Sequence, residues 1–265
     1  MTTYLAYTGN GNLNVLSLPS GPLATLNQPS NHAPAVAFFK GLVYLAWTGT
    51  DGRLNVISYD GTNWANQITL GQHSNNGPAL IASNNLLSLV WTGTNGNLNL
   101  IFSSDGKQWQ NQVTLSQTSG VAPASALGAF QDQAIAWIDG NGAPNAVCGM
   151  GIAGAAQGVT FSGTSKQGPG LAFYQSLLYI AWTDGTSGKI NVSSSADGIS
   201  GANPVVLNQI STNAPALASS SSGMTLAATG TDNQLSVSTF NGSTWEDPIT
   251  LKYTSNFAPA IAMTS

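Results

Sequence analysis

The chain has 265 residues and a formal net charge of −4, and only 6% of its residues are charged, against about 25% in a typical soluble protein. Its six basic residues are scattered singly, which argues against a phosphate backbone or an anionic membrane surface as partner. No apolar run approaches the ~18 residues of a spanning helix. Seven Trp and a 42% hydrophobic content argue equally against disorder.

The first element is Tyr4-Leu5-Ala6-Tyr7-Thr8-Gly9, a strand-type run with nothing to pair with before it. At Pro34 a unit begins that shows the pattern of the rest. Ala35 to Phe39 is apolar, and Lys40-Gly41 makes a turn. Leu42 to Trp47 follows, then the turn TGTDG from Thr48 to Gly52. A third run, Leu54 to Ser58, is closed by Asp60-Gly61, and a fourth spans Asn66 to Leu70. Four short runs separated by Gly and Asp turns predict a four-stranded antiparallel meander. The polar loop Gln72 to Gly77 leads to the next proline.

That proline recurs in Ala-Pro-Ala or a close copy at Pro34, Pro78, Pro123, Pro169, Pro215 and Pro259, at intervals of 44, 45, 46, 46 and 44 residues. A period of this length marks a propeller, a solenoid or an array. First runs are rich in Ala, as in Ala79 and Ala82 or Ala216 and Ala218. Second runs end in Tyr7, Trp47, Trp91, Trp137 and Trp182. Small residues suit blades converging on an axis, and large ones suit the diverging periphery. The chain ends with Ala258-Pro259-Ala260-Ile261-Ala262, a first strand with nothing after it, which Tyr4 to Tyr7 completes. The expectation is an all-β, six-bladed propeller of four-stranded blades, one domain over 1–265, closed by pairing its two terminal strands.

Third-to-fourth turns read SYDGTNW (Ser58 to Trp64), SSDGKQW (Ser103 to Trp109) and STFNGSTW (Ser238 to Trp245). The first two resemble degenerate Asp-box hairpins, and the third carries Asn241 for Asp. Ser195-Ala196-Asp197-Gly198 keeps part of the motif. Leu18-Pro19-Ser20-Gly21 and the region around Met150 have lost it. The whole chain resembles the repeat-built β-propeller lectins of bacteria and fungi, which implies carbohydrate binding. It departs from their six-bladed fucose-binding type, whose pockets use Arg, Glu and Trp. Arg53 is the only Arg and Glu246 the only Glu, so those roles are not carried over.

Catalysis finds little support. One Arg excludes a sialidase-type triad of arginines. A glycosidase needs two facing carboxylates, yet Asp51, Asp60, Asp105, Asp139, Asp184, Asp197 and Asp232 sit beside Gly or Asn as turn-formers. Asp132 and the pair Glu246-Asp247 are left over. His32 and His73, one repeat apart, lack companion ligands for a metal. Asp139-Gly140-Asn141-Gly142 lacks the spaced acidic oxygens of a calcium loop. Cys148, the only cysteine, reads as a structural thiol. Asn191-Val192-Ser193 and Asn241-Gly242-Ser243 match the glycosylation pattern no better than chance. No metal and no cofactor are expected. The N-terminus shows no signal peptide, so a cytoplasmic location or non-classical release is the expectation.

A ligand face is expected where second-to-third turns and fourth-to-first loops open together. The turns offer Asn10, Asp51, Asn95 and Asp232. The loops offer Asn31, His32, His73, Ser74, Asn75, Ser119, Asn213 and Asn256. With Trp47, Trp91 and Trp182 as apolar platforms, such amides and hydroxyls suit a neutral sugar. Inter-blade core is the other reading of these tryptophans, and backbone capping the other reading of the polar residues. The functional expectation is a non-enzymatic lectin with several related sites between blades, taking glycans or glycoconjugates. A protein-binding scaffold is the alternative, and a glycosidase using Glu246-Asp247 a lesser one.

Overall fold

The computed structural model describes residues 2–19, 24–83, 85–128, 133–149, 158–198 and 200–264. Ser20, Gly21, Asp132 and the Gly/Ala-rich segment around Met150 lie outside them. Six four-stranded antiparallel sheets form a ring. The inner strands are β4 (Ala35–Phe39), β8 (Ala79–Ala82), β12 (Ala124–Leu127), β16 (Gly170–Tyr174), β20 (Ala216–Ser220) and β24 (Ala260–Met263). Each starts directly after one of the six prolines. The second strands are β1 (Thr3–Gly9), β5 (Leu42–Thr48), β9 (Leu87–Thr92), β13 (Gln133–Ile138), β17 (Leu177–Thr183) and β21 (Gly223–Thr229). The third are β2 (Asn12–Leu18), β6 (Arg53–Tyr59), β10 (Asn97–Ser103), β14 (Pro144–Cys148), β18 (Lys189–Ser195) and β22 (Gln234–Phe240). The outer strands are β3 (Ala24–Pro29), β7 (Trp64–His73), β11 (Gln110–Thr118), β15 (Gly158–Thr160), β19 (Val205–Ile210) and β23 (Ile249–Thr254).

Blade I joins both ends of the chain, with order β24-β1-β2-β3, and blades II to VI follow in sequence. Thr3 pairs with Met263, Tyr4 with Ala262, Leu5 with Ile261 and Ala6 with Ala260. The terminal strands therefore complete one sheet as expected. The outer strand of blade II is longer than the expected Asn66 to Leu70. It starts at Trp64, because Asn66 takes a left-handed φ of 57° that absorbs a register shift and lets pairing continue.

The core lies between blades, in six layers. Alternation along each strand feeds two layers at once. Val43, Leu45 and Trp47 pack toward blade I, while Tyr44 and Ala46 pack toward blade III. The large residue ending one second strand thus meets a small one on the preceding blade: Trp47 with Ala6, Trp91 with Ala46, Trp182 with Ala136. Close packing of this kind leaves few voids.

Two recurrent polar devices hold the blades in register. Ser30, Ser74, Ser211 and Ser255 donate Oγ to the carbonyls of Thr48, Thr92, Thr229 and Thr8 on the next blade, at 2.7 to 2.9 Å. In return Thr8, Thr48, Thr92, Thr183 and Thr229 donate Oγ1 to loop carbonyls at 2.6 to 2.7 Å. Ile138 occupies that position in blade IV. The second device is an amide clamp within blades I to IV. Asn14, Asn55, Asn99 and Asn145 on third strands accept from Thr25, Thr69, Thr114 and Thr160 on outer strands, at 2.6 to 2.8 Å.

Candidate functional site

The expected ligand face carries second-to-third turns and fourth-to-first loops, and five of its twelve expected polar residues bond backbone through their side chains. Ser74 and Ser119 are buried, and their hydroxyls cap the N–H of Asn76 and Val121. Asp51, Asn95 and Asp232 accept the N–H two residues on, at 3.0, 3.1 and 3.0 Å, and shape their own turns. Asn10 opens a tight turn at φ 51°. Asn31, His73, Asn75 and Asn256 are exposed, and Asn213 and His32 are half-buried. Burial holds the His32 pKa below its ordinary value. The expectation that Trp47, Trp91 and Trp182 contact a ligand is corrected. They are 2%, 2% and 1% exposed, because each fills the layer between two blades and has no open ring face.

A hollow of about 620 Å³ does open on that face, between blades IV and V. It is lined by the turn Asp139 to Gly142, by Ile138 and by Thr164 to Lys166. None of the expected residues lines it. Asp139 Oδ1 accepts the N–H groups of Asn141 and Ala143 at 2.9 Å.

A second cleft, of about 580 Å³, lies between blades V and VI, on the side of the third-to-fourth hairpins. A volume of this order suits a small ligand. One wall is the outer strand of blade V, with Val205, Leu207 and Gln209. The other is the hairpin of blade VI, with Phe240, Trp245, Glu246 and Asp247.

That hairpin is built by Asn241, whose Oδ1 accepts the N–H groups of Ser243 and Thr244 at 2.9 and 3.0 Å. The turn swings Trp245 back onto Phe240, with ring centroids 5.2 Å apart and planes 35° apart. Phe240 in turn lies 5.9 Å from Tyr179 of blade V. Burial, helped by Tyr174, pushes the Tyr179 hydroxyl pKa up. The next residue, Glu246, accepts from the Thr239 hydroxyl.

Three departures from the repeat lie at or beside this cleft. Ala228 stands where Trp47, Trp91 and Trp182 end their second strands, so the layer faces Ala181 with a small residue. Both blades also lack the amide clamp: Val206 replaces the threonine opposite Asn191, and Ser236 replaces the asparagine opposite Thr250. Gln209 turns into this space, 8% exposed, and its Nε2 donates to Ser236 Oγ at 2.6 Å. Its Oε1 has no hydrogen-bond partner, a state that costs about 1–3 kcal/mol for a buried acceptor.

The third departure concerns the rim. Between blades I and II, Gln28 and Gln67 exchange hydrogen bonds at 2.7 and 3.2 Å. Between II and III, Gln72 donates to Gln112 at 3.1 Å. Gln67 and Gln112 each lie two residues before the clamp threonine, and Pro248 holds that place in blade VI. Proline offers no side-chain partner, so nothing bridges the cleft at this point.

The aromatic arrangement recurs between blades I and II. Tyr59 and Trp64 stack at 5.0 Å and 25°, and Tyr4 packs in the same cluster. Ala65 and Asn66 stand there in place of Glu246 and Asp247. The indole N–H groups of Trp64 and Trp109 are buried without a partner, whereas that of Trp245 is not sealed in this way.

No protein-family model matches the chain, and no curated protein is similar to it in sequence. Its structure is similar to solved six-bladed propellers. A crystal structure of the Aleuria aurantia lectin, described by its six-bladed β-propeller fold and fucose recognition, matches with TM-score 0.69 and 12% identity, over 94% of this chain and 95% of that one. An arginine-to-alanine triple mutant of AofleA from Arthrobotrys oligospora matches with TM-score 0.72 and 11% identity, over 98% and 89%. A lectin from Burkholderia pseudomallei matches with TM-score 0.65 and 20% identity, over 91% and 78%. The chain shares their fold.

Proposed function

We propose that this protein is a lectin, binding carbohydrate without turning it over, and that its principal site is the cleft between blades V and VI. The observation that carries this reading is the pairing of the Trp245 platform with the unbonded Gln209 Oε1 at the opposite wall. A sugar presents an apolar C–H face to an indole and hydroxyl donors to an acceptor. Asn203, Asn208, Ser243 and Thr244 add neutral donors and acceptors around the cleft. The shared fold supports the same reading, since one of the similar structures is the Aleuria aurantia lectin in complex with α-methyl-L-fucoside.

The repeated aromatic cluster supports more than one site. The aromatic cluster between blades I and II, with Tyr4, Tyr59 and Trp64, is the second. Each site is shallow and of weak affinity, on the order of 0.1–1 mM. Several on one ring raise apparent affinity for a glycan-coated surface by roughly 10²–10⁴.

A glycan array followed by titration calorimetry tests the reading. Trp245→Ala is expected to lower affinity about tenfold or more while the protein stays folded by circular dichroism. A protein-binding scaffold is the second reading, favoured by Val205, Val206 and Ile249, which are 57%, 55% and 65% exposed on the outer strands. An array on which no glycan is retained favours the scaffold.

A further inference from the structure

We propose that the cleft between blades V and VI selects its sugars by charge, preferring those that carry a free ammonium group and rejecting those that carry a carboxylate. This rests on the reading of that cleft as a sugar site. Glu246 and Asp247 are consecutive and exposed, and both line the cleft. Among the described residues, no Lys, Arg or His lines it. The lining therefore carries negative charge only. The Thr239 hydroxyl bonds the Glu246 carboxylate and holds it in place.

The acidic pair is specific to this blade. Its counterparts in the repeat are Ala65-Asn66 in blade II, Gln110-Asn111 in blade III and Ala202-Asn203 in blade V. Charge is scarce in this chain, and its only Glu stands at the cleft where Gln209 Oε1 is buried without a partner. Both groups accept and neither donates. A ligand satisfies them best by bringing N–H and O–H donors together on one ring. An amino sugar does so, with its ammonium toward the carboxylates and a hydroxyl that reaches Gln209 Oε1 once this buried side chain turns toward the cleft.

Exposed charge pairs are individually weak, so the preference is a matter of several-fold. An ammonium sugar is expected to bind roughly three- to tenfold more tightly than its neutral parent, and the uronic acid weaker by a similar factor. Raising salt from roughly 50 to 500 mM should shrink both ratios, because screening shortens the reach of exposed charges.

The test is an array printed with neutral, de-N-acetylated and uronic or sialic glycans. The best neutral glycan and its amino and carboxylate forms are then titrated at about pH 6, where the amine is protonated. In the double variant Glu246→Gln, Asp247→Asn the ammonium-to-neutral ratio should fall to within roughly twofold of one. Putrescine, which has ammonium groups without a ring, should not compete. Neutral glycans that bind with no charge preference, a preference that survives in the double variant, or competition by putrescine would each overturn the charge selection and leave the lectin reading intact. An array with no glycan of any charge bound would remove both.

Discussion

The hydroxyl of Ser255 donates to the carbonyl of Thr8 at 2.8 Å, joining residues 247 positions apart. The same bond recurs between other neighbouring blades, but this copy ties the end of the chain to its beginning. Deleting residues 1–8 removes it together with the ladder from Thr3 to Ala6. The inner strand β24 is then left as an unpaired edge, and the truncated protein is expected to melt far below the full chain or to aggregate. Ser255→Ala is expected to cost about 1–2 kcal/mol, a fall in Tm of roughly 2–6 °C. A truncated chain melting at the same temperature as the intact one would sink the role given to closure.

Pro248 should behave as the residue that keeps the principal cleft open. Pro248→Gln supplies Gln209 with the partner its counterpart Gln28 finds in Gln67. Glycan affinity is expected to fall about five- to tenfold, with stability unchanged or raised. Gln67→Pro should do the reverse between blades I and II, raising affinity at the second site without changing the number of sites counted by calorimetry. Unaltered binding in both variants would show that the glutamine bridge does not control access.

Alkaline pH should weaken the fold through Tyr7. Burial, with Tyr253 adding to it, pushes the Tyr7 pKa up from 10.0 to about 12. The folded state therefore keeps a proton that the unfolded chain loses near pH 10. The stabilisation is complete below about pH 10 and is lost as pH rises toward 12. Tyr44 and Tyr179 shift in the same direction. Denaturant unfolding between pH 8 and about pH 12 should show this decline, and Tyr7→Phe should flatten it.

Glycan binding should be indifferent to EDTA, since no metal enters the site proposed above. Chromogenic glycosides should not turn over, because Glu246 and Asp247 sit side by side on one rim and do not face a carboxylate across the cleft. Binding abolished by chelation and restored by calcium would mean that the Asp-Gly turns hold ions.

The ring itself was legible because period, proline and turn chemistry are local signals. Pro34 and its five copies each stand immediately before an inner strand, and Lys40-Gly41 and Asp51-Gly52 mark the turns between strands. The site was not legible in the same way. Recurrence drew attention to the loop serines and the second-strand tryptophans, and recurrence proved to mark scaffolding. Ser74 staples blade II to blade III, and Trp182 seals blade IV against blade V. The cleft coincides with departures instead: Ala228 for Trp, Ser236 for Asn, Pro248 for Gln. Each can be read by aligning the repeats. Their joint effect emerges only when blades V and VI are known to face each other, with Gln209 reaching across.

The cleft has a divided ancestry within the chain. Gln209 belongs to one repeat and Trp245 and Glu246 to the next, so no single repeat carries a complete site. On the proposed reading recognition arises at the seam, and a ring of six repeats has six seams. The serine and threonine staples are common property, and most seams repeat them. A third-to-fourth hairpin belongs to one seam alone. Changes there redraw one surface without disturbing the other five. Such a ring can hold a mixed set of specificities, with one seam moving to a charged sugar while its neighbours keep to neutral ones.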